Sequence, residues 1–193
     1  MVRRLGSGVL VLAAAWLLFD SAWLIAKARL AQYLIDAAWQ RQVHNGEVVR
    51  PWPWADTWPV ARLRLGGGRP LVVLAGSSGQ ALAFGPGLVE NSGEPGSAER
   101  TTVIAAHRDT HFGPLRKVRA GARLGLQDRH GRWHHYQVRE TRVVDSRRER
   151  LPILAGPGLM LVTCYPFDAL VAGGPQRFVV FAEYLPEGGH NEA

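Results

Sequence analysis

Apolar and polar positions change their rhythm near residue 60. Ahead of it, residues 9–26 read VLVLAAAWLLFDSAWLIA, 18 residues with Asp20 as the one charge. As a helix this stretch extends roughly 27 Å, close to a hydrocarbon core of about 30 Å, and residues 5–8 lengthen it enough to span. An acid near the middle costs on the order of 2.5–3.5 kcal/mol on insertion scales, which the apolar neighbours offset. The stretch is long for the core of a cleaved leader, and the residues after it continue as helix. A membrane anchor over 1–26 is therefore expected. Arg3 and Arg4 precede it and Lys27 and Arg29 come after it, so charge asymmetry barely sets the orientation.

In residues 27–42, Leu30, Tyr33, Leu34, Ala37 and Ala38 recur at helical spacing with no proline between them. The expectation is an amphipathic stalk helix over 27–49. Residues 50–59, RPWPWADTWP, hold three prolines and three tryptophans. Proline blocks both helix and central strand, so 50–60 reads as an extended linker whose tryptophans pack on the domain.

From 61 to 186 the rhythm becomes short apolar runs between turn residues. The runs are 61–65, 70–75, 101–107, 123–127, 133–144, 158–164 and 176–185, with turns at 66–68, 128–131 and 173–175. Short helices are expected near 79–84 and 113–118. Seven or eight strands in this length predict an all-β domain, a barrel or sandwich, and closure into a barrel removes exposed edges. Residues 187–193 read as a flexible tail.

Composition adds three constraints. The chain has 193 residues, 47% of them hydrophobic, enough for a sizeable core. Its formal net charge is +7, but the densest run, Arg147-Arg148-Glu149-Arg150, is broken by an acid. Without a basic stripe interleaved with exposed aromatics, nucleic acid is not an expected partner. Cys164 is the single cysteine, so no intramolecular disulfide forms and the thiol stands alone.

Cys164 closes the run GLMLVTC and precedes Tyr165-Pro166, where a central strand cannot continue. That puts the thiol at a strand end, at a rim. His107 closes TTVIAAH before the polar Arg108-Asp109-Thr110-His111, again at a strand end. Arg177 opens QRFVVFAEYL, 13 positions after Cys164 across the Gly173-Gly174-Pro175 turn, so two strands joined by that turn would return it to the thiol. Alone, each has a bland reading: a buried small hydrophobe, a turn histidine, a solvated charge. His111 competes with His107, but no H-E-x-x-H pattern accompanies the pair. Together they supply acyl-transfer chemistry. A thiol with pKa near 8.5 needs activation, an imidazole can provide it and protonate a leaving amine, and a guanidinium can hold a developing oxyanion.

The blocks LVTC at 161–164, VIAAHRDTHF at 103–112 and QRFVVFAEY at 176–184, with LAFGPGLVENSGEPGSAER upstream, resemble the sortase family over about 54–185. The Cys-Tyr-Pro-Phe continuation at 164–167 is most similar to sortases of Gram-negative bacteria. The resemblance implies a closed barrel of about eight strands and a cysteine transpeptidase. Cys164 would be its nucleophile, with His107 and Arg177 as partners. The substrate would be an exported protein with a C-terminal sorting signal, and an amine would accept the acyl group. It further implies residence in the bacterial inner membrane, facing the periplasm, and substrate contacts by Met160, Leu161 and Thr163. Met160 departs from the family's first threonine at that position, which bears on substrate preference rather than chemistry. Some sortases use calcium. No acidic cluster for it is evident here, so no cofactor or metal is expected. Two alternatives compete with this reading. An L,D-transpeptidase would place its cysteine in a Ser-x-Gly-Cys context, unlike Thr163-Cys164-Tyr165. A non-catalytic, membrane-tethered binding module would bury the thiol as a core residue.

Overall fold

The computed structural model describes residues 2–169, 171 and 173–186; the side chains of residues 2–11 and 13 lie outside that description. The expected tail, and the side chains of 9–11 and 13 in the apolar stretch, therefore fall outside it. One helix, α1, runs unbroken from Val2 to Asn45. Eight strands come after it: β1 Pro59–Leu65, β2 Leu71–Ala75, β3 Gly87–Leu88, β4 Thr102–Ala105, β5 Arg123–Gln127, β6 Trp133–Asp145, β7 Gly158–Cys164 and β8 Gln176–Leu185. They close in the order β1-β2-β3-β4-β7-β8-β6-β5. A six-residue helix α2, Gly79–Phe84, links β2 to β3, and a 3₁₀ turn, Gly113–Lys117, precedes β5.

Alternation along the strands sorts side chains to the two barrel faces. Leu63, Ile104, Leu126, Leu159, Leu161 and Val180 are fully buried in the interior. A second apolar cluster lies on the outer face, where Val103, Met160 and Val179 pack with Leu151 and Ile153 of the β6–β7 connection. Strand β3 has two residues, too few for any periodicity to show. Its glycine is required: a Cβ on Gly87 would collide with the Gly76 carbonyl.

The α1 helix docks on the barrel through residues 31–43. Ile35, Ala38, Trp39 and Gln42 are buried, and Leu34 and Ala37 are half-buried. Leu30 and Tyr33, which share the apolar spacing of the expected stalk helix, are exposed. The buried stripe is set by the two largest side chains, Ile35 and Trp39, and it turns the helix away from the spacing that begins at Leu30. Polar contacts fix the dock: Asp36 pairs with Arg62 at 2.7 Å, and the Gln42 amide donates to the Pro59 carbonyl at 2.9 Å. From Leu12 to Ile25 the large apolar side chains of α1 are exposed. Among the described residues no helix is long and apolar enough to cross a membrane. In the linker, Trp52 packs edge-on to Phe84 at 5.2 Å, whereas Trp54 stays exposed.

Candidate active site

Strand register brings the three candidate side chains to one rim. Cys164 and Arg177 are direct partners across β7 and β8. Strand β4 runs parallel to β7, with Ala105 opposite Val162, and the Ala106 N–H donates to the Val162 carbonyl at 3.2 Å. His107 lies two residues beyond Ala105 and Cys164 two beyond Val162, so both leave their strands at the same level. Alternation puts all three on the outer face, as it does Val103, Met160, Val162 and Val179. An apolar strip thus leads along the barrel wall to the thiol. Cys164 is half-buried and free, and His107 is exposed.

Arg177 is half-buried, and its guanidinium turns back on its own loop. It donates to the carbonyls of Gly174 and Gln176, at 2.5 and 2.9 Å. Both acceptors are uncharged, which leaves the cation without a carboxylate counter-ion among the described residues. His111 lies close enough to feel His107. Burial first, and then the charge of His107, hold the His111 imidazole below its ordinary value and so keep it neutral. Among the described residues no group of three or more His, Cys, Asp or Glu could hold a metal ion.

The three residues expected to contact substrate are buried. Leu161 faces the interior core. The Thr163 hydroxyl donates to the Ala106 carbonyl at 2.7 Å, tying β7 to the residue that precedes His107. Met160 is on the outer face, in the cluster that includes Leu151 and Ile153. Thr163 and Leu161 therefore act on the site through packing and register in this structure.

Sequence reasoning gives Arg108 no role of its own within the polar stretch after His107. The side chain is 5% exposed, and besides an ion pair to Asp109 at 3.2 Å it donates to the carbonyls of Pro166 and Ala169, both at 2.7 Å, and of Val171 at 3.2 Å. It ties the β7–β8 connection, between the thiol and Arg177, to the residue beside His107. A signal for this exists in the sequence: residues 165–175 are rich in Gly, Pro and Ala, and their buried carbonyls need donors from elsewhere.

Solved structures share this architecture. Sortase C-1 from Actinomyces oris matches with 23% identity and a TM-score of 0.57, over 66% of this chain and 75% of that one. Sortase C1 of Streptococcus agalactiae, in complex with MTSET, matches with 25% identity and a TM-score of 0.57, over 66% and 70%. The Clostridium perfringens Sortase D5 transpeptidase matches with 18% identity and a TM-score of 0.63, over 82% and 99%. No curated protein sequence matches significantly. The family model described as Sortase domain matches residues 65–185, more than half the chain and every strand after β1. The chain belongs to the sortase family.

Proposed function

We propose that this chain is a membrane-anchored cysteine transpeptidase that cleaves a C-terminal sorting signal of an exported protein and transfers the new carboxyl end to an amine. The observation that carries this reading is the shared register of His107, Cys164 and Arg177 on one face of one rim. The Cys164 sulfur attacks the scissile carbonyl carbon, forming a C–S bond as the amide C–N bond breaks. His107 takes the proton the thiol gives up and delivers it to the departing amine. An amine then attacks the thioester, giving up a proton to His107 as a new amide C–N bond forms and the C–S bond breaks to release the sulfur; where no amine arrives, water attacks instead and the product is a free carboxylate. Arg177 serves the oxyanion of both tetrahedral intermediates once its guanidinium swings from the Gly174 carbonyl toward the carbonyl under attack. Because its acceptors there are neutral, that rotation breaks no ion pair. The acyl-donor peptide lies along the apolar strip toward Met160, and Leu151 and Ile153 must shift to admit it.

The anchor reading is supported by the unbroken α1 helix and by the uncovered apolar side chains from Leu12 to Ile25. With the anchor in a bacterial inner membrane, the barrel faces the periplasm, where exported substrates pass. The Cys164–Phe167 continuation favours the Gram-negative type of sortase. The test is to incubate the 193-residue chain in detergent with a bacterial extract of exported proteins. The Cys164 adduct is then identified by intact and peptide mass spectrometry. A hydroxylamine-sensitive acyl adduct on Cys164 supports the proposal. A thiol that stays unmodified, and that resists alkylation in the native state, favours a non-catalytic module instead.

A further inference from the structure

The direction in which α1 leaves the barrel ties the catalytic rim to the membrane. Between its contacts with Asp36 and Gln42, the barrel wall runs from Arg62 back to Pro59. Three strand residues cover about 10 Å and six helical residues about 9 Å, so α1 lies alongside β1 in the opposite sense. Its C-terminal end reaches the β5–β6 hairpin, where a Cβ on Gly131 would touch Val43. Its N-terminal half leaves at the other end, that of the β1–β2 turn. That turn adjoins the loop after His107, since Leu65, Arg69, His111 and Pro114 line one cavity of about 340 Å³. Leu65, another 10 Å beyond Arg62, is level with about residue 29 of the helix. The apolar stretch ends at Ala26.

The balance of charge along the barrel tilts in the same sense. At the catalytic rim Arg69, Arg116, Lys117, Arg119 and Arg123 are exposed, and none forms an ion pair among the described residues. Among the described residues, the exposed Asp168 is the acid of that rim's loops outside an ion pair, since Asp109 is bound to Arg108 and Asp145 and Glu149 to Arg148 and Arg142. The loops of the opposite end carry Glu47, Asp56, Glu90, Glu94, Glu99 and Asp128 against Arg50, Arg100, Arg129 and Arg132, so acids outnumber bases there.

We infer that the catalytic rim faces the bilayer, with this basic set resting on anionic headgroups, so that the bond Cys164 attacks must be presented at the membrane surface. The inference rests on reading residues 9–26 as a span. Attraction between such a rim and an anionic leaflet falls off within a Debye length, so the rim must sit close and the contact must weaken with salt.

The test uses the full chain carrying Cys164→Ala, with one new cysteine at the rim (Gly67→Cys) or at the opposite end (Arg129→Cys), each labelled with a fluorophore. The chain is reconstituted into phosphatidylcholine vesicles with or without phosphatidylglycerol, and quenching by a headgroup-nitroxide lipid is measured. The expected result is quenching at position 67 several-fold above that at 129. The excess grows with phosphatidylglycerol and shrinks with salt or with the Arg116→Glu, Lys117→Glu, Arg119→Glu combination. Equal quenching at the two positions, in vesicles that retain the chain, overturns the inference while the span stands. Loss of the chain from floated vesicles overturns the span and the orientation together. Quenching insensitive to phosphatidylglycerol and to charge reversal overturns the electrostatic contact.

Discussion

The two ends of this barrel treat their polar side chains in opposite ways. At the end formed by the β5–β6 hairpin, the buried Asp128 carboxylate accepts from the backbone N–H groups of His130 and Arg132, from the Arg132 side chain and from His134 Nε2, all within 3.1 Å. The cluster is also sterically closed, because a Cβ on Gly96 would run into the His134 ring. At the other end, Arg177 holds only neutral carbonyls, His107 is exposed and the Cys164 thiol is free. A saturated network confers stability and has nothing left to offer a substrate. An unsaturated one contributes little stability and keeps its donors available for reacting atoms.

Breaking each end should therefore move different observables. The largest effect is expected from Cys164→Ala: peptide cleavage is abolished while Tm stays within about 2 °C, since a half-buried sulfur contributes little packing. Cleavage above background in that variant would remove the thiol from the chemistry. His107→Ala comes next, with kcat/KM falling about 10²–10⁴-fold while iodoacetamide still labels Cys164. Retained turnover would show that another group protonates the leaving amine. Arg177→Lys should lower kcat by about 10²-fold, the scale of losing one oxyanion donor, because an ammonium lacks the planar fork. If it turns over like the wild type, only the charge matters.

How much of this is legible in the sequence depends on the range over which each feature is encoded. The long strands β6, β7 and β8 show in periodicity, and the rim positions emerge from where the runs of β7 and β4 stop, at Cys164 and His107, and where that of β8 starts, at Arg177. Strand β3 is hidden because Gly87 and Leu88 are too short to alternate; they are held by closure of the barrel around them. The packed face of α1 is ambiguous because the stripe through Leu30 and Tyr33 and the stripe through Ile35 and Trp39 are both apolar in sequence, and only the barrel surface selects between them. Burial of Leu161 and Thr163 on the inner face is a consequence of strand alternation once Cys164 is taken as outward-facing, whereas burial of Met160 depends on the β6–β7 connection folding over it. Arg108 is a long-range case: its acceptors are about 60 residues away, and their sequence shows only that they need donors.

At the opposite end the decisive variant is Asp128→Asn. Burial alone would raise the carboxyl, but hydrogen bonds from His134, from the backbone of Arg132 and His130 and from the Arg132 side chain outweigh it and hold its pKa below the ordinary value of 3.8. A depressed carboxyl contributes stability that is present above its unfolded pKa and lost as pH falls through its folded one. Wild type should therefore lose stability relative to Asp128→Asn below about pH 4, narrowing a gap of about 1–3 kcal/mol at pH 7. Chemical denaturation across pH reads this directly. A gap constant with pH would mean that the ionised form has no special role there. Once folded, the variant should cleave peptide at the wild-type rate.

The smallest expected effect is where the two ends meet. Thr163→Val keeps the shape but deletes the donor to the Ala106 carbonyl, leaving a buried acceptor short of one partner. That costs about 1 kcal/mol, a few degrees in Tm. The same bond holds β7 to the residue before His107, so its loss should also loosen the level at which imidazole and sulfur leave their strands. The two readouts separate these roles. A lower Tm with unchanged kcat/KM makes the bond a stabiliser of the barrel alone. A kcat/KM that falls several-fold at temperatures where the variant is fully folded, with KM unchanged, makes Thr163 a positioning residue for the rim. The second outcome is expected, because Ala106 and Thr163 are the residues immediately preceding the two groups that must meet.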